Sequence, residues 1–479
     1  MTSTTTRHAY STVPTSAPAR QLWEQDRRHH LHPWQHFDSF QQEGALLIDR
    51  GEGCRVIDVD GRSYFDAVGG LWCTNIGLGR EEMADAIAAQ VRKLAYASPF
   101  TDMGNGPAAE LAARLAGLAP GDIDHVIYTC GGGTAVDTAV RLALFYQRCR
   151  GKPAKRHFIV RDHAYHGSTY MAASLTGKDR IPEHEYQTEN VHFVSCPNPY
   201  RVPEAMSEAA FCDFLVDELE KKILEIGPDR VCAFFAEPIM GAGGVIVAPE
   251  GYHARTRSLC ARYDILYVAD EVVTAFGRLG HWFASEGEFG IQPDIITCAK
   301  GLTSGYLPLG ACLFSDRIFR TISEGDPDRL FAHGFTYAGH PVACAAALKN
   351  LEIIEREKLM DNVVDVGAYF ERRLQDLEDL PIVGNVRGRK LMMCVEFVAD
   401  RATKETFPVA LNIGKRVSNR CERMGLLIRS IVHLNIMSPG FTLTRSDVDF
   451  VVDTLRQGIV EVIDELRDEG IAIDTGSRA

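Results

Sequence analysis

Residues 292–310 read QPDIITCAKGLTSGYLPLG, an apolar strand pattern that ends at Lys300 and opens onto a glycine-rich loop. A second apolar run, residues 264–269, ends upstream in Asp270 and Glu271. In α/β sheets, ligands bind off the carboxyl ends of the parallel strands, which share one edge. The two runs therefore predict that an amine and a carboxylate face a common cleft.

This pairing of groups points to pyridoxal phosphate (PLP). A lysine that can form a Schiff base and a carboxylate that can hold a pyridinium nitrogen are the minimal protein groups for its chemistry. Lys300 follows Ile-Ile-Thr-Cys-Ala and precedes a glycine, a poor setting for a solvated surface lysine. For Asp270, and for Glu237 at the end of the run 231–236, an acid that merely caps the next element is the alternative.

The composition narrows the class of protein. The chain has 479 residues, 46% apolar and 24% charged, which indicates a soluble globular protein of two or three structural units. Its net charge of −13 argues against nucleic acid and anionic membranes as partners. Thirteen scattered cysteines, without a C-x-x-C pair, indicate a reducing compartment, and we predict a cytoplasmic protein. No apolar run approaches the roughly 18 residues that suggest a membrane span.

The start of the chain reads as a tail. Residues 1–20 are rich in Ser, Thr and Pro, contain no acid and lack an apolar signal-peptide core. We predict a disordered or extended tail over residues 1–30, with an organelle transit peptide as the alternative. The histidines that follow are interpreted as a polar segment before the folded domain and not as metal ligands: His29, His30, His32 and His36.

Strand and helix patterns alternate from about residue 80 onwards, which predicts a mainly parallel sheet covered on both faces. The expected strands are 125–129, 157–160, 231–236, 265–269, 295–298 and 311–314. From residue 341 a long helix, reaching residue 358 or 377, leads into a smaller α+β domain. We predict a large domain over 76–340, a small domain over 341–479, and an N-terminal segment, 31–75, that packs with the small domain.

Two strand-end loops are candidates for the rest of a site. Cys130-Gly-Gly-Gly-Thr134 follows a strand and opens a helix, so the amides of Gly132 and Gly133 could bind a phosphate; a tight turn without a ligand is equally compatible. Tyr165 and His166 precede Gly167 after another strand, and an aromatic ring there could stack on a planar cofactor. A buried aromatic is the alternative, and no set of ligands at metal-binding spacing accompanies His166.

Several segments, in order along the chain, carry a resemblance to a known family. They are residues 70–77 (GLWCTNIG), 236–244 (AEPIMGAGG), 268–278 (VADEVVTAFGR), 299–306 (AKGLTSGY) and 334–341 (GFTYAGHP). Together they resemble the class III aminotransferases of the fold-type I PLP enzymes, and most of all the ω-transaminases that use pyruvate as amino acceptor. The resemblance implies an α/β fold with a mostly parallel seven-stranded sheet in the large domain and a smaller α+β domain.

The resemblance also implies roles for particular residues. Lys300 would be the Schiff-base lysine, Asp270 the partner of the pyridine nitrogen, and Glu237 a further cofactor contact. Val272 would pack on one face of the ring, and Tyr165 or His166 on the other. The remaining implied positions are Gly132, Gly133 and Thr134 at the phosphate, Thr336 at the phosphate of the neighbouring subunit in a homodimer, and Trp72, Phe100, Tyr165 and Arg429 at the substrate.

The chain departs from the family pattern at two points. Gly-Gly-Thr replaces the usual Gly-Ser in the phosphate loop, so that Thr134 could substitute for the serine hydroxyl. The segment after Arg429, Ser430-Ile-Val-His433, lacks the usual Gly-Asp. We expect amino transfer from an amine or ω-amino acid to a 2-oxo acid, with pyruvate as acceptor. The alternatives are a PLP-dependent decarboxylase or aminomutase, and a non-enzymatic phosphate-binding α/β protein.

Overall fold

The computed structural model describes residues 13–100, 102–177, 186–187, 189–202 and 206–473. The chain divides into two compact units. The larger unit is Glu81–Val363, and the smaller unit combines Met1–Arg80 with Val364–Ala479. The first and the last described segments of the chain therefore belong to one unit.

The α-helices of the described residues are α1 Ala17–His29, α2 Phe37–Glu43, α3 Gly69–Trp72, α4 Glu81–Lys93, α5 Gly106–Leu118, α6 Gly132–Cys149, α7 Tyr170–Ser174, α8 Glu208–Ile226, α9 Tyr252–Arg262, α10 Ala284–Gly287, α11 Asp316–Ser323, α12 Pro341–Arg356, α13 Leu359–Gln375, α14 Ile413–Arg423 and α15 Arg445–Asp468. The strands are β1 Ile48–Glu52, β2 Arg55–Asp58, β3 Ser63–Asp66, β4 Ile123–Thr129, β5 His157–Arg161, β6 Val191–Val194, β7 Val231–Ala236, β8 Ile239–Met240, β9 Ile246–Val247, β10 Leu266–Asp270, β11 Ile295–Cys298, β12 Gly310–Ser315, β13 Val383–Arg389, β14 Met392–Phe397, β15 Leu426–Leu427, β16 Arg429–Ile431 and β17 Leu434–Met437.

The larger unit is built on a seven-stranded sheet in the order β4-β12-β11-β10-β7-β5-β6. The pairs β11–β10, β10–β7, β7–β5 and β5–β6 are parallel, whereas β12 runs antiparallel to both of its neighbours. Because β12 is reversed, its first residue lies at the same edge as the last residues of the parallel strands. The candidate functional residues lie at that edge.

The central strands are buried along their whole length and mostly apolar, because helices cover both faces of the sheet. Every residue of β5, β7, β10, β11 and β12 is buried. The sequence pattern predicted each of these five strands and β4. Strand β6 was not predicted, because His192 and Phe193 in its centre are only half-buried and the run is short.

Of the two ends predicted for the helix from residue 341, the structure has the earlier one: α12 ends just before Lys358, whose left-handed backbone conformation (φ 52°) separates it from α13. Helix α12 packs on α4 and α5 and belongs to the larger unit, not to the small domain, because its apolar face covers the sheet. Residues 17–29 of the expected tail form α1, started by a Ser16 cap and anchored by buried Ala19 and Trp23.

The smaller unit holds two four-stranded sheets, ordered β1-β2-β3-β15 and β13-β14-β17-β16. A hairpin at Asp60-Gly61 joins β2 and β3, and Asp-Gly is a dipeptide typical of such turns. Helix α15 begins with a capping box in which Thr444 and Asp447 exchange side-chain and backbone hydrogen bonds. None of the described helices is long and apolar enough to cross a membrane.

Candidate active site

The candidate residues of the larger unit follow neighbouring strands. Asp270 ends β10 and lies in register with Thr297 of β11, three residues before Lys300. On the other side, Ala236 of β7 pairs with Ala269, so that Glu237 follows next to Asp270. This adjacency, which the strand pattern predicts, brings an amine, a carboxylate and a second acid to one edge of the sheet.

Lys300 begins a short 3₁₀ turn, Lys300–Leu302, in a left-handed backbone conformation (φ 42°). Such a conformation is strained for a lysine and persists only where the surroundings hold it. Asn350 on α12, fully buried, supplies part of that hold. Its Nδ2 donates to the carbonyl oxygens of Gly301 (2.9 Å) and Leu302 (3.0 Å), and its Oδ1 accepts from Ser304 Oγ (2.6 Å). The Lys300 side chain is half-buried.

The Asp270 carboxylate is 5% exposed and is held from two directions. Its Oδ1 accepts from the backbone N–H of Val272 (3.1 Å), and its Oδ2 lies 2.6 Å from Nδ1 of His166. Since an ionised carboxylate only accepts hydrogen bonds, His166 Nδ1 carries the proton. A carboxylate fixed in this way can accept a charge-assisted hydrogen bond from a protonated ring nitrogen.

His166 and Tyr165 take different positions, which the sequence left open. His166 is 3% exposed, packs edge-on to Phe235 and is committed to Asp270 through Nδ1, so it supports that carboxylate. Its Nε2 is buried and has no hydrogen-bond partner among the described residues. Tyr165 is half-buried, and its hydroxyl contacts Ser168 Oγ at 3.1 Å. Of the two rings, Tyr165 is therefore the one suited to stack on a bound group.

Two further acids at this edge have structural partners. Glu237 accepts from the backbone N–H groups of Tyr165 (3.1 Å) and Gly241 (2.8 Å), so it positions the loop that carries Tyr165. Burial raises the pKa of this carboxyl. Glu271 accepts from Ala284 N and Ser285 N, both at 2.8 Å, and burial raises its pKa as well. Glu271 therefore anchors the start of α10.

The glycine-rich loop after β4 forms the start of α6. The first intrahelical bond runs from Ala135 N to Gly131 O (3.0 Å), which leaves the N–H groups of the first turn to an external acceptor. A Cβ built on Gly132 would lie 2.8 Å from Val272 Cγ1, and one on Gly310 would lie 2.5 Å from Gly131 O. The loop thus lies against the residues that follow Asp270 and against the start of β12.

The Thr134 hydroxyl has a partner within the loop. It donates to Gly131 O at 2.8 Å and so closes the first turn of α6. A hydroxyl has one proton, so this hydroxyl cannot at the same time donate to a phosphate. The backbone N–H of Thr134, in the first turn, is the group that remains suited to an anion.

The remaining predicted residues lie elsewhere in the two units. In the larger unit, Thr336 is exposed and its carbonyl accepts from Tyr96 Oη (2.7 Å), while Phe100 is 52% exposed. In the smaller unit, Trp72 is 2% exposed at the end of α3, and Arg429 is half-buried at the start of β16.

Comparison with known proteins decides the family. The family model described as "Aminotransferase class-III" matches residues 39–459. The chain belongs to the class III aminotransferases. Among its relatives, the putrescine–pyruvate aminotransferase of Pseudomonas aeruginosa is 38% identical over 445 residues, 92% of this chain and 96% of the relative. The diaminobutyrate–2-oxoglutarate transaminase of Halomonas elongata is 36% identical over 461 residues, 94% and 98% of the two chains.

Solved structures of class III aminotransferases show the same fold. An (S)-enantioselective ω-transaminase from Thermomicrobium roseum superposes with a TM-score of 0.90 at 40% identity, covering 93% of this chain and 99% of its own. The ω-transaminase of Pseudomonas jessenii, in complex with PMP, gives 0.90 at 36% identity, with 94% and 99% covered. These matches confirm the predicted family, the fold-type I architecture and a PLP-dependent aminotransferase activity on a 2-oxo acid, and set aside the non-enzymatic alternative.

The residues of this class III aminotransferase fit the cofactor that the family implies. Gly132 leaves a space beside Val272 that a Cβ would fill, and the first turn of α6 borders it. The buried Asp270 carboxylate, supported by His166, suits a protonated ring nitrogen. Asn350 supports the site by holding the Lys300 turn, and His166 supports it by holding Asp270. The sequence could not identify Asn350, since no motif marks an asparagine that bonds to a distant turn.

Proposed function

We propose that this aminotransferase moves the amino group of an ω-amino acid, a polyamine or a simple amine to pyruvate, with Lys300 as the covalent anchor of the cofactor. The observation that carries this assignment is the strained turn of Lys300, held by Asn350 at the strand end next to Asp270. The relative from Pseudomonas aeruginosa, named for putrescine and pyruvate, supports the substrate class.

The cofactor contacts follow from the same geometry. The backbone N–H groups of Gly132, Gly133 and Thr134 bind the phosphate at the positive end of the α6 dipole. Asp270 would hold the pyridine nitrogen, and Val272 and Tyr165 would pack against the ring. Glu237 acts indirectly, since its carboxylate accepts a hydrogen bond from the backbone N–H of Tyr165.

Lys300 also moves the proton that amino transfer requires. When bound, PLP supplies an electron sink that makes a carbon–hydrogen bond of the amine substrate acidic. The Nζ amine of Lys300 would accept that proton as a general base and return it as a general acid. A lysine held on a fixed turn is suited to this role, because proton transfer depends on reach before it depends on pKa.

The resemblance implies Trp72, Phe100 and Arg429 as substrate contacts. Arg429 begins β16, which pairs antiparallel with β17 through a short reversal at Val432 (φ 47°). A guanidinium is the preferred partner of a substrate carboxylate, because its fork matches both oxygens. We propose that Arg429 binds the carboxylate of pyruvate, and that the strand pairing of its backbone limits how far it can swing away for a bulky amine.

We further propose that the active unit is a homodimer. Large apolar side chains of the larger unit are exposed near Thr336: Phe100 at 52%, Leu330 at 77% and Tyr337 at 62%. Grouped exposed apolar residues are typical of interaction surfaces. A second subunit that covers them would bring Thr336 to its partner's cofactor. Sedimentation should then give twice the chain mass, or four times that mass for a dimer of dimers. Leu330→Asp should shift the enzyme towards monomer with loss of activity; a fully active monomer would contradict the proposal.

A screen of single amines tests the function directly. Each amine is added to the PLP form without an acceptor, and the loss of the visible cofactor absorption is followed; pyruvate is then added and alanine is measured. We expect ω-amines to bleach the cofactor and to give one alanine per turnover. Carbon dioxide release without alanine would point to a decarboxylase. Lys300→Ala should abolish both steps and the borohydride-trapped adduct, whereas Lys349→Ala, on the exposed side of α12, should retain them.

The state of the cysteines indicates the cellular compartment of the enzyme. All thirteen are free, among them the buried Cys232, Cys260 and Cys312, whose pKa burial raises. Free thiols in this number are typical of a reducing compartment. We therefore propose a cytoplasmic location.

A further inference from the structure

Three side chains with metal-ligating atoms converge at the end of α1, in the smaller unit. His30 Nδ1 lies 3.0 Å from Asp26 Oδ1, and His32 Nε2 lies 2.9 Å from Asp26 Oδ2. One ligand atom from each residue lies within 4.8 Å of the others. Among the described residues, this is the one such group of three or more His, Cys, Asp and Glu side chains.

The end of the helix explains the convergence. His30 N donates to Asp26 O (2.9 Å) as the last bond of α1, so the two side chains lie one turn apart on the same face. His30 then has an extended backbone (φ −106°, ψ 108°), and the chain turns away from the helix axis. The change of direction returns the ring of His32 to Asp26, beside the ring of His30.

Local packing fixes the orientation of these groups. The ring of His32 lies 4.7 Å from that of Phe40, a buried residue of α2, and 4.4 Å from that of His30. Arg27 links the two helices, since it donates to Gln41 O and lies 4.8 Å from the Trp23 ring centroid. A site with ligands held by packing loses less entropy on binding than a flexible one.

We propose that Asp26, His30 and His32 form a binding site for a divalent transition metal, with zinc as the preferred occupant. Two imidazoles and one carboxylate with an open position are a frequent ligand set for such ions, and zinc accepts this set in tetrahedral geometry. The side chains of Asp26 and His32 are 16% and 23% exposed and that of His30 is 66% exposed, so that water can complete the shell.

The distances are close to those the ion needs. Two ligand atoms on a tetrahedral zinc, each about 2.1 Å from the metal, lie about 3.4 Å apart. The Asp26 contacts of 2.9 and 3.0 Å therefore have to open by only a few tenths of an ångström. On binding, each neutral imidazole turns its lone pair to the metal and carries its proton on the other ring nitrogen, so no oxidant and no net proton transfer is required.

The position of the site indicates its role. It closes the end of α1 onto the segment that leads to α2, and a bound ion would hold residues 26–32 in one conformation. The site is distinct from Lys300 and Asp270, which follow strands of the larger unit. We therefore assign a structural ion that orders the N-terminal segment. This proposal reverses the interpretation of His30 and His32 from the sequence alone, which set them aside as metal ligands; the spacing Asp-x₃-His-x-His becomes informative only once a helix is known to end at His29.

Metal titration of the PLP-loaded enzyme tests the proposal. The protein is treated with a chelator, desalted and dialysed against zinc, and bound zinc is counted by mass spectrometry. We expect one zinc per chain, with the affinity reduced at least about tenfold in Asp26→Asn, His30→Gln and His32→Gln. His29→Gln and His36→Gln remove exposed neighbouring histidines outside the group and should bind zinc as the wild type does.

Two further measurements exclude adventitious binding. Cobalt in place of zinc should give visible absorption bands that are absent in His32→Gln. Zinc should also slow tryptic cleavage after Arg27 and Arg28 in the wild type and not in His30→Gln. Because the His30 side chain is exposed, its replacement should not disturb the fold, so a loss of protection in this variant reports the loss of a ligand. Equal zinc binding in all variants would overturn the assignment. So would the absence of stoichiometric binding at a tenfold excess of zinc, about 100 µM over ~10 µM chain, which is enough to fill a site of micromolar Kd.

Discussion

His166 Nδ1 and Asp270 Oδ2 are 2.6 Å apart, and both side chains are almost fully buried. The two residues follow different strands, β5 and β10, and are 104 positions apart in the sequence. The imidazole holds the carboxylate in the orientation that a ring nitrogen would meet, as the partner of a metal-ligating histidine holds its ring. Asp270 contacts the cofactor in this scheme, and His166 acts by positioning Asp270.

Removal of the His166 proton donor should therefore impair catalysis without removing a cofactor contact. We expect His166→Leu to lower kcat roughly 10–100-fold and to weaken cofactor retention, since comparable supporting contacts have effects of that size. His166→Asn, which can donate from Nδ2, should recover part of the loss. Stopped-flow half-reactions and cofactor dissociation measure both. The control is His163→Asn, at an exposed position with φ 64° that asparagine adopts readily. Equal kcat for the Leu and Asn variants would argue against a donor role.

Gly132 should be intolerant of a side chain. A Cβ would lie 2.8 Å from Val272 Cγ1, so Gly132→Ala must displace either the start of α6 or Val272. Both flank the cofactor in our assignment. We expect at least a tenfold weaker affinity for PLP, since even a single lost charge-assisted contact is worth about 1.5–3 kcal/mol. Fluorescence titration of the apoenzyme measures it. In Gly117→Ala, on α5, the new Cβ meets nothing within 4 Å, and PLP affinity should not change.

Asn350 provides a test of the Lys300 turn. Asn350→Ala removes the donor to the buried carbonyls of Gly301 and Leu302. Each buried group that loses its partner costs about 1–3 kcal/mol, so we expect roughly 3 kcal/mol of lost stability and a lower Tm. We also expect kcat to fall more than KM changes, because the misplaced amine affects proton transfer and not amine binding. Lys349→Ala, one residue away, is the matched control. A variant with wild-type kcat would show that the turn holds without Asn350.

The stability of the larger unit should fall in mild acid because of His253. Burial lowers the pKa of this histidine to about 3, and it stays neutral between Tyr267 Oη (3.1 Å) and the carbonyl oxygen of Pro238 (2.9 Å). In the unfolded chain its pKa is about 6.5. The unfolded state therefore binds an additional proton between these two values, so stability is complete above pH 6.5 and declines as the pH falls.

From pH 7 to pH 5 this one group should cost about 2 kcal/mol of unfolding free energy. Thermal unfolding of the PLP-loaded enzyme at the two pH values measures the decline. In His253→Gln, a neutral amide can still donate to Pro238 O, so the variant should be less stable at pH 7 but show a shallower pH dependence. A slope as steep as that of the wild type would assign the acid sensitivity to other groups.

Much of the site could be predicted because it lies at strand ends. Lys300 and Asp270 each follow an apolar run, and parallel strands end at one edge, so their proximity follows from local pattern and a general rule of sheet topology. Strand β6 was not predicted, because it is short and partly exposed. The sequence left open whether the helix from residue 341 ends near residue 358 or 377, because the left-handed backbone of Lys358 that ends it belongs to a residue type that does not mark helix ends.

The sequence by itself determined the α/β class, the family, the cofactor and the strands that present Lys300 and Asp270, because hydrophobic periodicity and strand-end motifs are local properties. Only the tertiary structure decided which residues support them. Two of these supporting contacts join distant segments: His166 holds Asp270, and Asn350 holds the Lys300 turn. The contact of the Thr134 hydroxyl with Gly131 O is local, but the sequence does not reveal it either. The distant contacts form only when packing brings those segments together. Residue type determines which atoms can donate or accept, and distance and direction then select the partner.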